Sequence, residues 1–135
     1  MYLLDTDICI YIIKKHSENA VNRICKLKPQ EIKISSVTVA ELEYGASKSR
    51  LRETNRTALY NFLATFEVIS FDSRDAEIYG IIRAELESNG NVIGPYDLQL
   101  AAQALARGLV FVYKEYLELK ALQNTNQSRF FIFCG

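Results

Sequence analysis

The chain has 135 residues, 49% of them apolar, enough for a single domain spanning residues 1–135 to bury a core without disulfide or metal staples. Its 16 basic residues balance 16 acidic ones, so the molecule as a whole makes no electrostatic case for nucleic acid, and any such case must be local. No run approaches the roughly 18 apolar residues of a membrane helix, and the amino end lacks a basic region ahead of a long apolar core, so no membrane association and a cytoplasmic location are expected.

Tyr2-Leu3-Leu4 is a short apolar run that ends in Asp5-Thr6-Asp7, after which Ile8, Tyr11 and Ile12 recur at helical spacing. A strand that hands its last residue to a helix puts that residue at the carboxyl edge of a sheet, where open α/β folds bind their ligands. His16, the single histidine, falls in the polar stretch Lys14-Lys15-His16-Ser17 and reads as a solvated loop residue. Ser17 caps a second helix whose Ala20, Val21, Ile24 and Leu27 form a stripe until Pro29 stops it. Ile32-Lys33-Ile34 is a second strand, and Ser35-Ser36 caps a helix beginning near Val37. Val37, Ala40, Glu41, Tyr44 and Gly45 are expected on one side of that helix, so that a carboxylate lies on an otherwise apolar face.

The stretch from Lys48 to Arg56 is basic and polar, and it leads into a helix that turns Ala58, Leu59, Phe62, Leu63 and Phe66 inward, giving a protruding helical hairpin. Glu67-Val68-Ile69 is the third strand. Asp72 or Ser73 caps the next helix, with Ala76, Tyr79, Ile82 and Leu86 on one face, and Asn89-Gly90-Asn91 closes it. A tight loop from Val92 to Asp97 feeds a slim, alanine-rich helix with Leu98, Ala101, Ala102 and Leu105 as its stripe, ended by Gly108. Leu109-Val110-Phe111-Val112 is the most continuous apolar strand and is expected at the centre of the sheet, covered on both faces. Tyr113-Lys114-Glu115, a short helix to Leu122 and a polar patch follow, before a last apolar run, Phe130 to Phe133, expected as an edge strand. Strands alternating with helices predict an α/β fold, a three-layer α/β/α sandwich around a mainly parallel sheet. Cys9, Cys25 and Cys134 are odd in number and widely separated, which fits neither a disulfide framework nor a CxxC metal site.

Asp5, Glu41, Asp97 and Glu115 share one property: each falls at or just after the carboxyl end of a predicted strand, or on the helix that such a loop starts. Acids so placed converge on one end of the sheet. Two unit charges about 4 Å apart repel by roughly 4 kcal/mol at an effective dielectric near 20, and a divalent cation removes that cost. Carboxylate oxygens without histidine or cysteine select Mg²⁺ or Mn²⁺. In this reading Asp5 and Asp97 ligate the ion, Glu41 ligates it or orients the attacking water, and the Thr6 or Ser36 hydroxyl positions the ligands from behind. Asp7 is open to three roles: a helix cap, a ligand through water, or a partner that orients Asp5. Glu43 and Glu118 read equally as solvated helix acids. P-loop, hydrolase-elbow and dinucleotide-binding motifs are absent from the sequence.

Three blocks in order, Leu3-Leu4-Asp5-Thr6-Asp7-Ile8, then Ser35-Ser36-Val37-Thr38-Val39-Ala40-Glu41-Leu42-Glu43-Tyr44-Gly45-Ala46, then Ile93-Gly94-Pro95-Tyr96-Asp97, resemble the PIN-domain family and, within it, the VapC-type ribonuclease toxins of bacterial toxin-antitoxin pairs. The resemblance runs from Tyr2 to about Val112. It implies Mg²⁺-dependent cleavage of RNA with Asp5, Glu41 and Asp97 as the acidic site, a homodimer, a tight complex with a small antitoxin, and contact with operator DNA only through that antitoxin. Two departures stand out. Asp7 replaces the usual Asn, and Tyr113-Lys114-Glu115 stands where relatives commonly show Thr-Asn followed by Asn or Asp, with Glu115 available as the fourth acid.

For RNA contact the candidates are Lys48, Arg50, Arg52 and Arg56, with Lys114 near the acidic edge; the alternative for the same stretch is that it serves the antitoxin. Two alternatives accompany the nuclease reading. The altered Tyr113-Lys114-Glu115 segment favours a catalytically weakened protein that binds its antitoxin and acts in repression of their operon. The Asp5-Thr6-Asp7 opening also looks like that of haloacid-dehalogenase-type phosphatases, in which the first Asp is a nucleophile.

Overall fold

The middle strand of the sheet is the chain's first element. In the computed structural model, which describes residues 1–14, 26–91, 93–113 and 130–132, strand β1 (Tyr2–Leu4) lies between β2 (Ile32–Ser35) and β4 (Val110–Tyr113). Outside these stand β3 (Glu67–Ile69) and β5 (Phe130–Ile132), in the order β3-β2-β1-β4-β5 with every pairing parallel. Five described α-helices connect or flank them: α1 (Thr6–Lys14), α2 (Ser36–Lys48), α3 (Arg52–Leu63), α4 (Ser73–Ser88) and α5 (Pro95–Ala106).

Strand alternation divides the core in two. Leu3 pairs with Phe111 and both face a cluster built from Ile82 and Leu86 of α4 and Leu98, Leu100 and Ala101 of α5. Leu4 pairs with Val112 and both face the opposite cluster, built from Ile8 and Cys9 of α1, Leu42 of α2 and Leu59 of α3. The three layers expected from the alternation of elements are therefore present, and the middle of α5, Leu98 and Leu100 to Ala104, is buried because its small alanines let it lie close to the sheet. Gly108 ends that helix at φ +65°, a left-handed conformation that glycine takes without strain.

Three expectations need correction. The strand at residues 110–113 is interior and covered on both faces, but β1 is the middle strand, because β5 adds beyond β4. The buried face of α2 is Thr38, Leu42 and Ala46 rather than the side bearing Ala40 and Tyr44; Ala40 is exposed and Tyr44 is 64% exposed. The i, i+4 row through Thr38 is the one that meets α1 and α3. On α4, Ala76 is exposed and Asp75 takes the buried place beside it. The expected helix from Ser17, His16, Cys25, the helix to Leu122 and the polar patch lie wholly or mainly outside the described residues. No described helix is long and apolar enough to cross a membrane.

Candidate active site

Asp5 leaves β1 at its carboxyl end and is 1% exposed. Its backbone continues the sheet, with its N–H donating to the Val112 carbonyl at 3.0 Å, while its Oδ1 accepts the Ile8 N–H at 2.8 Å. The side chain therefore caps α1, and the capping role considered for Asp7 falls to Asp5. Asp7 lies exposed in the first turn of α1, where the helix dipole favours negative charge. Asp5 also acts on its neighbour. Burial pushes the Cys9 thiol well above its ordinary range, and the Asp5 charge adds to that, so Cys9 is a neutral, buried thiol at physiological pH.

Glu41 stands in the second turn of α2 and is half-buried. Its helix starts where β2 ends, with Ser35 Oγ accepting the Val37 N–H at 3.1 Å as the cap. Asp97 lies in the first turn of α5, set by Pro95 at the helix start, and its Oδ2 is 3.5 Å from where a side chain on Gly94 would begin. The elements that carry these acids meet: α2 packs against both α1 and α5, and α5 packs against β1.

Thr6 Oγ1 lies 3.2 Å from Thr38 Oγ1, tying the first turn of α1 to the buried face of α2. Thr38 was not legible as a site residue, although a threonine interrupting an apolar i, i+4 row was the available signal. Ser36 Oγ accepts the Phe71 N–H at 3.0 Å and so fastens the β3–α4 connection to the start of α2. The donor set of Asp5, Glu41 and Asp97 is all carboxylate oxygen, the chemistry of a hard divalent cation. Among the described residues, no three acids, histidines or cysteines stand close enough together to hold a metal as they are placed. Glu115, the fourth acid, and Lys114 lie outside the described residues.

The arrangement is thus a buried carboxylate at the end of a middle parallel strand, with one further acid on α2, which packs against α1, and another on α5, which packs against β1. A profile of the PIN domain matches residues 2–116. The chain belongs to the PIN-domain family. It is 41% identical to Ribonuclease VapC2 of Rickettsia felis over 92% of this chain and 93% of that one. It is 39% identical to the tRNA(fMet)-specific endonuclease VapC of Salmonella typhimurium, over 90% of this chain and 91% of the relative. Among solved structures, VapBC2 from Rickettsia felis bound to a DNA fragment from their promoter superposes with a TM-score of 0.84 at 37% identity, covering 98% of this chain and 96% of that one. PIN-domain membership also accounts for the order of the three sequence blocks.

Proposed function

We propose that this protein is an endoribonuclease toxin of the VapC type that cleaves structured RNA, with tRNA the first candidate, in a reaction dependent on Mg²⁺ or Mn²⁺. The observation that carries the reading is Asp5, a fully buried carboxylate at the end of the middle strand, in a chain 41% identical to a VapC ribonuclease. The tRNA(fMet)-specific relative supports tRNA as the substrate. Asp5 and Asp97 would hold the ion, with Glu41 ligating it or orienting water and Glu115 as the fourth acid. A bound ion of this class supplies a hydroxide-like water near neutral pH and stabilises the leaving oxyanion.

The chain's own residues do the rest. The Ile8 N–H fixes one Asp5 oxygen, the Thr6–Thr38 pair holds the first turn of α1 against α2, and burial of Asp5 excludes the water that would otherwise screen its carboxylate. A cytoplasmic homodimer that pairs with a small antitoxin completes the reading, and the solved VapBC2 complex on promoter DNA supports both the antitoxin and a role in repression through it. That same complex favours a second reading, in which cleavage has been lost and operon repression remains. With the family established, the phosphatase alternative has no further support.

Purified protein freed of any partner, incubated with a tRNA transcript, separates the two. Cleavage with Mg²⁺ that stops on chelation supports the nuclease. Intact RNA under both conditions, from a folded protein that still binds its antitoxin, supports the second reading.

A further inference from the structure

The turn between α2 and α3 gathers positive charge that the acidic site does not use. A groove of about 550 Å³ opens there, lined by Ser47, Arg50, Arg52, Glu53, Thr54 and Arg56 among others. Arg50 and Arg52 are exposed, and among the described residues neither has a hydrogen-bond or ion-pair partner. Arg56 is different. Its Nη2 donates to Ser47 Oγ at 3.2 Å, while its Nε is shielded from solvent and makes no hydrogen bond, with Glu43 Oε2 standing 4.0 Å away. That Nε thus has an ion-pair contact but no hydrogen-bonded oxygen.

The turn is held in shape by its own side chains. Ser49 Oγ donates to the Ala46 carbonyl at 2.7 Å and accepts from Asn55 Nδ2 at 2.9 Å. A groove fastened in this way is preformed, so a ligand does not have to order it. Three guanidinium forks and two hydroxyls match phosphate oxygens, and arginine is the side chain whose geometry suits them best. An acidic peptide would also meet the charge, and the exposed Leu51 in the lining offers it one apolar contact; a lone leucine falls short of the clustered anchors of a peptide interface, and a protein partner is one outcome of the test.

Distance decides which phosphate. Glu41 and Lys48 are seven residues apart on α2, roughly 10 Å at about 1.5 Å per residue. A stacked strand advances about 3.4 Å per nucleotide, so the groove lies some three nucleotides or more from the acidic end of the sheet. We propose that the groove at the α2–α3 turn is a phosphodiester-binding site that anchors the RNA backbone at that distance from the acidic end. The proposal rests on the ribonuclease reading and deepens it. It also places the nucleic-acid charge locally, as a chain of zero net charge requires.

The test uses the full chain carrying Asp5→Asn, so that RNA stays intact, and a tRNA transcript titrated by fluorescence anisotropy across a series of salt concentrations. Each phosphate contact on single-stranded RNA adds about 0.7 to the slope of log affinity against log salt, so Arg50→Gln/Arg52→Gln should lower the slope by about 1.4 and weaken binding roughly tenfold at about 50 mM salt. Both positions are exposed, so this variant tests the groove without disturbing the fold; Arg56→Gln alone should lower the slope by about 0.7. Arg83→Gln, on the far helix α4, should leave the slope unchanged. An unaltered slope and affinity in the Arg50/Arg52 variant, with a parent that cuts RNA, overturns the groove and leaves the nuclease standing. A parent that neither cuts nor binds RNA overturns the nuclease reading and the groove with it. Loss of antitoxin binding with RNA binding intact assigns the groove to a protein partner and also overturns the proposal.

Discussion

The hydroxyls of Thr6 and Thr38, 3.2 Å apart, join the first turn of the helix after Asp5 to the buried face of the helix that carries Glu41. Thr38 is fully buried, so its oxygen has no access to water in place of Thr6. Thr38→Val keeps the shape and removes the hydroxyl, which should cost about 1 kcal/mol and lower Tm by a few degrees. The larger effect should be on cleavage. Loosening α1 against α2 misplaces two acids at once, so kcat should fall about tenfold or more while KM changes little. Thr38→Ser should restore both. A Thr38→Val protein as active as the parent would show that the pair is structural only.

Asp5→Asn separates the two jobs of that side chain. Asparagine caps a helix as well as aspartate, so the hydrogen bond from Ile8 survives and the fold should keep its melting temperature within a few degrees. The negative charge is lost. Cleavage in saturating Mg²⁺ should drop at least about 100-fold, and heat released on Mn²⁺ titration should fall with it. Asp97→Asn should behave alike, since its place in the first turn of α5 tolerates an amide. Full activity in either variant removes that residue from the site.

Most of the fold was legible because this sheet is parallel and doubly covered. Leu3-Leu4 and Phe111-Val112 are apolar at successive positions, which only a strand buried on both faces requires, and the two register partners sort cleanly into two cores. Ser35, Asp72 and Gly108 announced helix ends by chemistry that acts within a few residues. What stayed hidden depends on contacts between distant segments. Thr38 and Asp75 are polar residues in buried places, and nothing local marks them as different from a solvated threonine or a solvated acid. Their partners, Thr6 and Arg107, lie about thirty residues away in sequence. The exposure of Tyr44 has the same origin, since which face of α2 turns inward is set by α1 and α3.

Acid stability should depend on Asp72. Its carboxylate is held below the usual range, first by the Asp75 backbone N–H, opposed by desolvation, with the Arg107 charge and the Arg74 N–H adding to the lowering. A folded value below the unfolded one, near 4, means that the stabilisation is fully present above about pH 4 and is lost as pH falls through the folded value. Asp72→Asn keeps an oxygen for the cap but does not titrate. Urea midpoints measured from about pH 6 down to 3 should therefore fall less steeply for Asp72→Asn than for the parent. Parallel curves would mean that Asp72 contributes nothing to the acid limb.

Arg107 and Asp75 form the pair with most at stake for stability. Asp75 is 1% exposed, and its Oδ2 lies 3.2 Å from Arg107 Nη2 while also accepting the Asp72 N–H at 2.9 Å. Arg107 Nη2 donates as well to the Ser70 carbonyl at 2.6 Å, an oxygen shared with Gln103 Nε2. One guanidinium thus pins the β3–α4 connection to the end of α5. Removing one partner of a buried pair costs roughly 3–5 kcal/mol, but water reaches this one, because the arginine side chain is 33% exposed; Arg107→Ala should cost about 2–3 kcal/mol. Arg107→Lys should recover about half, since a point charge satisfies the carboxylate but cannot also reach Ser70 with a fork. Asp75→Asn/Arg107→Met should lose less than the two single changes added together, the sign of coupling between contacting residues. Thermal melts of the parent, the two Arg107 variants, the double variant and its two single changes decide it. Additive losses, or an Arg107→Ala protein that melts within a degree or so of the parent, would show that the pair is only a surface contact.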